Sequence, residues 1–233
     1  MIRKLICSIS LLILVGCTDG VLFQMKRMNP YYRAQWKTDE EFGVTFNQRL
    51  EELGHLRSKL PSMQPDEQAS WAAYLEHLII HDSSPEFRAQ AVQTIALISG
   101  ESTLRSLNAA STDESEKVRL VACRAWRQFA GPQAKDMLLT LANNANETTS
   151  VRQVAIDSLA SFDDAEVRES LMELLNDRSP AIQYQVTRSL AQVTGRDFGG
   201  DFQAWRDYME GKDVVETPTS MASTVLNGLK FWR

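Results

Sequence analysis

Four segments of this chain repeat one another at a nearly fixed period, and that self-similarity restricts the fold more than any other feature. They begin at Phe87, Val118, Val151 and Ile182, in steps of 31, 33 and 31 residues. Counting from each start, apolar residues recur at offsets 0, +4 and +8: Phe87, Ala91 and Ile95 in the first, Val151, Ala155 and Leu159 in the third. That spacing lines one face of an α-helix. Offset +1 is Arg88, Arg119 and Arg152, with Gln183 in the fourth segment. Five residues upstream of each start stand Asp82, Asp113, Asn146 and Asp177.

A second helix fits in front of each segment, over about 68–81, 101–111, 132–143 and 164–176. Ser83-Ser84-Pro85, Gly100, Gly131-Pro132 and Arg178-Ser179-Pro180 punctuate the pairs as helix stops and starts do. Each pair exposes an apolar stripe that only a neighbouring pair can cover. The expected fold class is therefore all-α, an α-solenoid of about four helix pairs. The flanks fit as caps. Phe46, Leu50, Leu53, Leu56 and Leu60 have helical spacing over 45–60, and Ser62 to Asp66 links that helix onward. Asp201 is a reasonable N-cap for a closing helix carrying Phe202, Trp205, Tyr208 and Met209 on one side.

The pattern of Asp followed by Val-Arg-x-x-Ala-x-x-x-Leu resembles HEAT repeats, above all their short bacterial form. The resemblance covers about 68–195 and is strongest in the second and third units. In such stacks the acids commonly meet the repeated arginines. The resemblance thus implies a structural ladder of Asp82, Arg88, Asp113, Arg119, Arg152 and Asp177 along the array.

Composition serves to exclude. With 43% hydrophobic residues in 233, a packed core is affordable, while 11 glycines and 7 prolines are too few for a many-turned β-sandwich. Three cysteines cannot supply a disulfide scaffold or a four-cysteine zinc site. A net charge of −5 gives no electrostatic reason to expect nucleic acid as a partner.

The first residues read as an address. Arg3 and Lys4 precede the eleven-residue, mostly apolar run Leu5–Val15, and polar Thr18 and Asp19 follow, the layout of an export signal. An eleven-residue helix at ~1.5 Å per residue covers about half of a bilayer core. Leu14-Val15-Gly16-Cys17 resembles the lipobox of bacterial lipoproteins. The resemblance implies a signal peptide over 1–16, lipidation of Cys17 and a membrane tether over 17–40, with Thr18 leaning toward outer-membrane sorting. The repeat domain with its caps would then span 41–211 and a tail 212–233, with the mature chain in the cell envelope.

No reactive constellation stands out. His77 and His81 are one helical turn apart, but Glu76 precedes the first histidine and no third ligand is identifiable, so no metal site is expected. Cys123 stands at offset +5, where the other units have Val92, Ile156 and Thr187, and reads as a small core hydrophobe. No cofactor and no catalytic residue are expected. What remains is surface. Offset +6 carries Gln93, Arg124, Asp157 and Arg188, and offset +10 adds Gln128, Ser161 and Gln192, polar rows able to hold a protein or peptide partner. The leading expectation is a non-enzymatic, membrane-anchored interaction scaffold. Two rivals are a chromophore (bilin) lyase-type protein, which short HEAT-like repeats resemble, and a passive structural envelope lipoprotein.

Overall fold

The structure is a computed structural model that describes residues 43–162 and 164–214. The expected export signal over 1–16, Cys17, the expected tether over 17–40 and the part of the expected tail beyond Val214 lie outside the described residues. The chain divides into two compact units, Met1–Glu52 and Leu53–Arg233. Of the first, the described part opens helix α1 (Phe46–Lys59), which runs on into the second. Thr45 starts that helix with a reciprocal cap. Its amide donates to Gln48 Oε1 at 2.8 Å, and the Gln48 amide donates to Thr45 Oγ1 at 3.3 Å, an exchange that satisfies two orphan donors.

The second unit is built of helix pairs. A 3₁₀ turn (Leu60–Ser62) leads to α2 (Pro65–His81) and α3 (Pro85–Ile95). Then come α4 (Glu101–Ser111) with α5 (Glu116–Trp126), α6 (Pro132–Asn143) with α7 (Thr149–Leu159), and α8 (Ala165–Leu174) with α9 (Pro180–Thr194). A short α10 (Phe202–Met209) closes the described residues, among which there is no strand. Four of the seven prolines stand at the first position of α2, α3, α6 and α9, where the missing N–H costs nothing and the fixed φ suits a helix. Gly195 ends α9 with φ of 69°, a left-handed conformation that glycine adopts without a Cβ clash.

The second helices α3, α5, α7 and α9 pack side by side in that order, and the first helices pack in pairs, α2 on α4 and α6 on α8. The twelve residues at offsets 0, +4 and +8 are the reason: each is at most 1% exposed. The stripe that no single helix pair can cover is covered by its neighbour. Offset +7 adds a feature that the apolar period hides. It holds the small residues Thr94, Ala125, Ser158 and Ser189. Ser158 Oγ donates to the Cys123 carbonyl at 3.2 Å, and Ser189 Oγ to the Ile156 carbonyl at 3.0 Å, each crossing to the preceding second helix.

The ends differ in detail from expectation. Leu53, Leu56 and Leu60 are buried, but Phe46 is 45% exposed, so the apolar side of α1 fades toward its start. At the other end Asp201 caps α10 by accepting from the Gln203 and Ala204 amides at 3.1 and 2.9 Å. Trp205 is the only fully buried member of the expected aromatic side. Its partner is Phe198 from the preceding loop, with ring centroids 4.9 Å apart and edge to face, a favoured aromatic geometry.

Candidate interaction face

The repeated charges come first, because what they hold decides which polar groups remain for a partner. Arg88 donates from Nε and Nη2 to the Asp113 carboxylate, both at 2.8 Å, and from Nη1 to its own unit's Asp82 carbonyl at 2.9 Å. Arg119 repeats the fork on Glu147, again at 2.8 Å twice, while Nη1 holds the Asp113 carbonyl. Arg152 reaches Asp177 at 2.6 Å and the Ala142 carbonyl at 2.9 Å. Each arginine thus ties a carbonyl of its own unit to a carboxylate of the next. The bidentate fork suits arginine and would not suit lysine.

The carboxylates do second duty. Asp82, Asp113 and Asp177 accept from the amides of Ser84, Ser115 and Ser179, the residues that start the second helices. In the third unit Asn144 takes this turn-forming role toward Asn146, and Thr148 caps α7 through the Val151 amide. Glu147, one residue past the aligned Asn146, therefore supplies the charge for Arg119. Gln183 in the last unit keeps only the inner half of the arrangement. Its amide donates to the Asp177 and Leu175 carbonyls, and no guanidinium reaches onward.

These contacts set the ionisation. Burial pushes the Glu147 carboxyl up, but the Arg119 guanidinium and the Thr148 amide outweigh it and hold it below the ordinary carboxylate value. Asp177 behaves alike under Arg152 and the Ser179 amide. Hydrogen bonds to Asp113 and Glu147 raise Arg88 and Arg119, so Glu147, Asp177, Arg88 and Arg119 stay charged across the physiological range.

Apart from Ser161, the six polar residues expected to face a partner divide into two groups. Gln93 Oε1 accepts from Arg57 Nη1 of α1 at 2.7 Å. Asp157 accepts from Arg127 at 3.0 Å on one oxygen and from Gln185 at 3.2 Å on the other. Both are committed to holding helices together. Arg124 on α5 and Gln128 in the turn after it, and Arg188 and Gln192 on α9, are exposed, and their side chains make no hydrogen bond or ion pair among the described residues. The first helices are bridged too, by Arg105 with Glu76 at 2.9 Å and Lys135 with Glu166 at 2.5 Å.

Of the groups weighed for chemistry, Cys123 is buried, and desolvation pushes its thiol up to about 12, which leaves almost no thiolate near neutrality. The His77 and His81 rings lie 4.7 Å apart. Among the described residues no group of three or more His, Cys, Asp or Glu is placed to hold a metal ion. No helix of these residues is long and apolar enough to cross a membrane.

Helix pairs stacked through their second helices, with a rail of arginine–carboxylate pairs between units, define an α-solenoid of the HEAT kind. The family model for HEAT repeats matches residues 72–149 and 144–199, more than half of the chain. The chain belongs to the HEAT-repeat family. Among solved structures it is similar to human deoxyhypusine hydroxylase in complex with glycerol, at 17% identity and a TM-score of 0.48 over 54% of this chain. The chain spans 44% of that enzyme's length. It is also similar to a designed armadillo repeat protein in complex with a (KR)4 peptide, at 21% identity and a TM-score of 0.46, over 70% of this chain and 80% of that one. A comparison with curated proteins finds no match.

Proposed function

We propose that this chain is a non-enzymatic HEAT-repeat scaffold that holds a protein or peptide partner and is tethered to a bacterial envelope membrane through lipid on Cys17. The observation that carries the reading is the division of polar groups on the second helices. The neighbours Arg57, Gln93, Arg127, Asp157 and Gln185 are spent on one another, whereas Arg124, Gln128, Arg188 and Gln192 project uncommitted from a rigid, repeated frame. A stiff frame fixes where these groups stand, so a partner need order only their side chains and not the backbone that carries them. The lipobox-like Leu14-Val15-Gly16-Cys17 supports the tether.

The test is affinity capture from detergent-solubilised host envelopes with the wild-type chain beside the Arg124→Glu, Arg188→Glu variant. A protein retained by the first and lost from the second is the expected result; identical recoveries refute the face. Turnover of a substrate by the purified chain alone would overturn the non-enzymatic reading. Cys17→Ser should move the protein from the membrane to the soluble fraction, and unchanged pelleting would remove the anchor.

A further inference from the structure

We infer that the face formed by α5, α7 and α9 takes an extended acidic segment of the partner, with carboxylates seated on Arg124 and Arg188; this rests on the scaffold reading and specifies its ligand. At offsets +6 and +9 the three helices and their C-caps carry Arg124 and Arg127, Asp157 and Ala160, Arg188 and Ala191. Three cations meet one carboxylate there, in a chain whose 30 acids outnumber its 25 bases. That single carboxylate is already satisfied, because Arg127 and Gln185 take its two oxygens. The face therefore presents two separate positive points on either side of a neutralised strip. Carboxylates such as Glu76 and Glu166 belong to first helices and are themselves held by Arg105 and Lys135.

Spacing selects the ligand. Because α7 packs between α5 and α9, and helix axes pack ~10 Å apart, residues at the same offset of α5 and α9 lie roughly 20 Å apart. An extended chain advancing ~3.3 Å per residue crosses that gap with acids about six positions apart. Gln128 and Gln192, one turn beyond each arginine, can both donate to and accept from a peptide backbone. A continuous polyanion such as RNA, or an anionic membrane, would favour contiguous cations rather than two points parted by a neutral strip.

Fluorescence anisotropy on the full chain in neutral detergent tests this with three labelled Ser/Thr peptides. One carries two Glu about six positions apart, one carries two Lys at the same places, and one carries the two Glu adjacent. The spaced-Glu peptide should bind best, and should weaken as salt rises through ~0.15 M. Its affinity should fall about tenfold in the Arg124→Gln, Arg188→Gln variant, the sum of two exposed ionic contacts. Arg105→Gln, a cation removed from the first-helix side, should leave it unchanged. Equal binding of the Lys and Glu peptides, no binding, indifference to the double variant, or tighter binding of oligouridine or phosphatidylglycerol vesicles would each overturn the inference. If that happens while envelope capture still separates wild type from the Arg-to-Glu variant, the acidic ligand falls and the scaffold stands. If capture fails as well, both fall.

Discussion

Replacing Glu147 by Ala isolates one rung of the arginine rail, and its cost follows from the geometry. The Arg119 and Glu147 side chains are 15% and 7% exposed. Deletion of the carboxylate strips two guanidinium N–H groups of acceptors held at 2.8 Å and frees the Thr148 amide bonded at 2.7 Å. Breaking a fully buried pair from one side costs ~3–5 kcal/mol. Here Nη1 keeps its bonds to the Asp113 and Glu114 carbonyls, and the residual exposure of Arg119 admits water, which lowers the expectation to about 2–3 kcal/mol. Asn146→Ala, at the residue that aligns with Asp113, should cost under about 0.5 kcal/mol, because its side chain is exposed and no hydrogen bond of it is described.

Urea denaturation followed by circular dichroism measures both shifts. The pair joins the second unit to the third, so Glu147→Ala should also broaden the transition as neighbouring units lose coupling. A double-mutant cycle with Arg119→Ala should return a coupling of about 1 kcal/mol or more. The pH dependence has a definite sign. The Glu147 carboxyl is held below its ordinary value, so its contribution is complete above the unfolded value of ~4.3 and fades as pH falls through the lower folded value. The gap between wild type and Glu147→Ala should therefore be widest near neutrality and shrink in acid. Equal shifts for Glu147→Ala and Asn146→Ala, or a gap that grows on acidification, would refute the reasoning.

Two serines on α4 should respond in opposite directions. Ser106 Oγ is fully buried and has no hydrogen-bond partner among the described residues, so Ser106→Ala should raise the urea midpoint by the equivalent of ~1 kcal/mol. Ser111 Oγ accepts from Trp126 Nε1 and donates to the Leu107 carbonyl, both at 2.8 Å; Ser111→Ala should lower stability by ~1–3 kcal/mol. The same sign for both would defeat the argument from satisfaction. Cys123, with its thiol pushed up to about 12, should resist iodoacetamide in the folded chain and react on unfolding, as read by peptide mass; labelling at native rates would contradict its burial. Trp205→Ala removes a fully buried ring that packs edge to face with Phe198 and donates to the Gly199 carbonyl at 3.1 Å. It should cost ~3–5 kcal/mol locally, seen as faster hydrogen exchange in α9 and α10 but not in α5. Uniform acceleration along the chain would refute a local closing role.

What the sequence discloses here depends on whether a residue's partner shares its period. The apolar columns at 0, +4 and +8 are legible because each unit must cover the same stripe, and all twelve residues are buried. The repeated Asp and Arg columns suggest pairing, yet their spacing is silent on whether an arginine turns to its own unit or the next. The structure has it do both, through a carbonyl in one direction and a carboxylate in the other. The substitution at Asn146 carried a signal that alignment alone overlooks. A neutral amide cannot balance Arg119, and the nearest carboxylate is Glu147. Gln183 is the same logic at the end of the row, since an amide suffices where only carbonyls must be held. The polar face is the least legible part, because its pairings leave the period. Gln93 is held by Arg57 from α1, outside the repeats, and Asp157 by Arg127 from offset +9 of the preceding unit. The four residues at +6 therefore look alike in sequence, although two of them brace neighbouring helices and two make no side-chain bond among the described residues. Telling them apart requires knowing which long cation lies within reach, and that is a property of the stack, not of the unit.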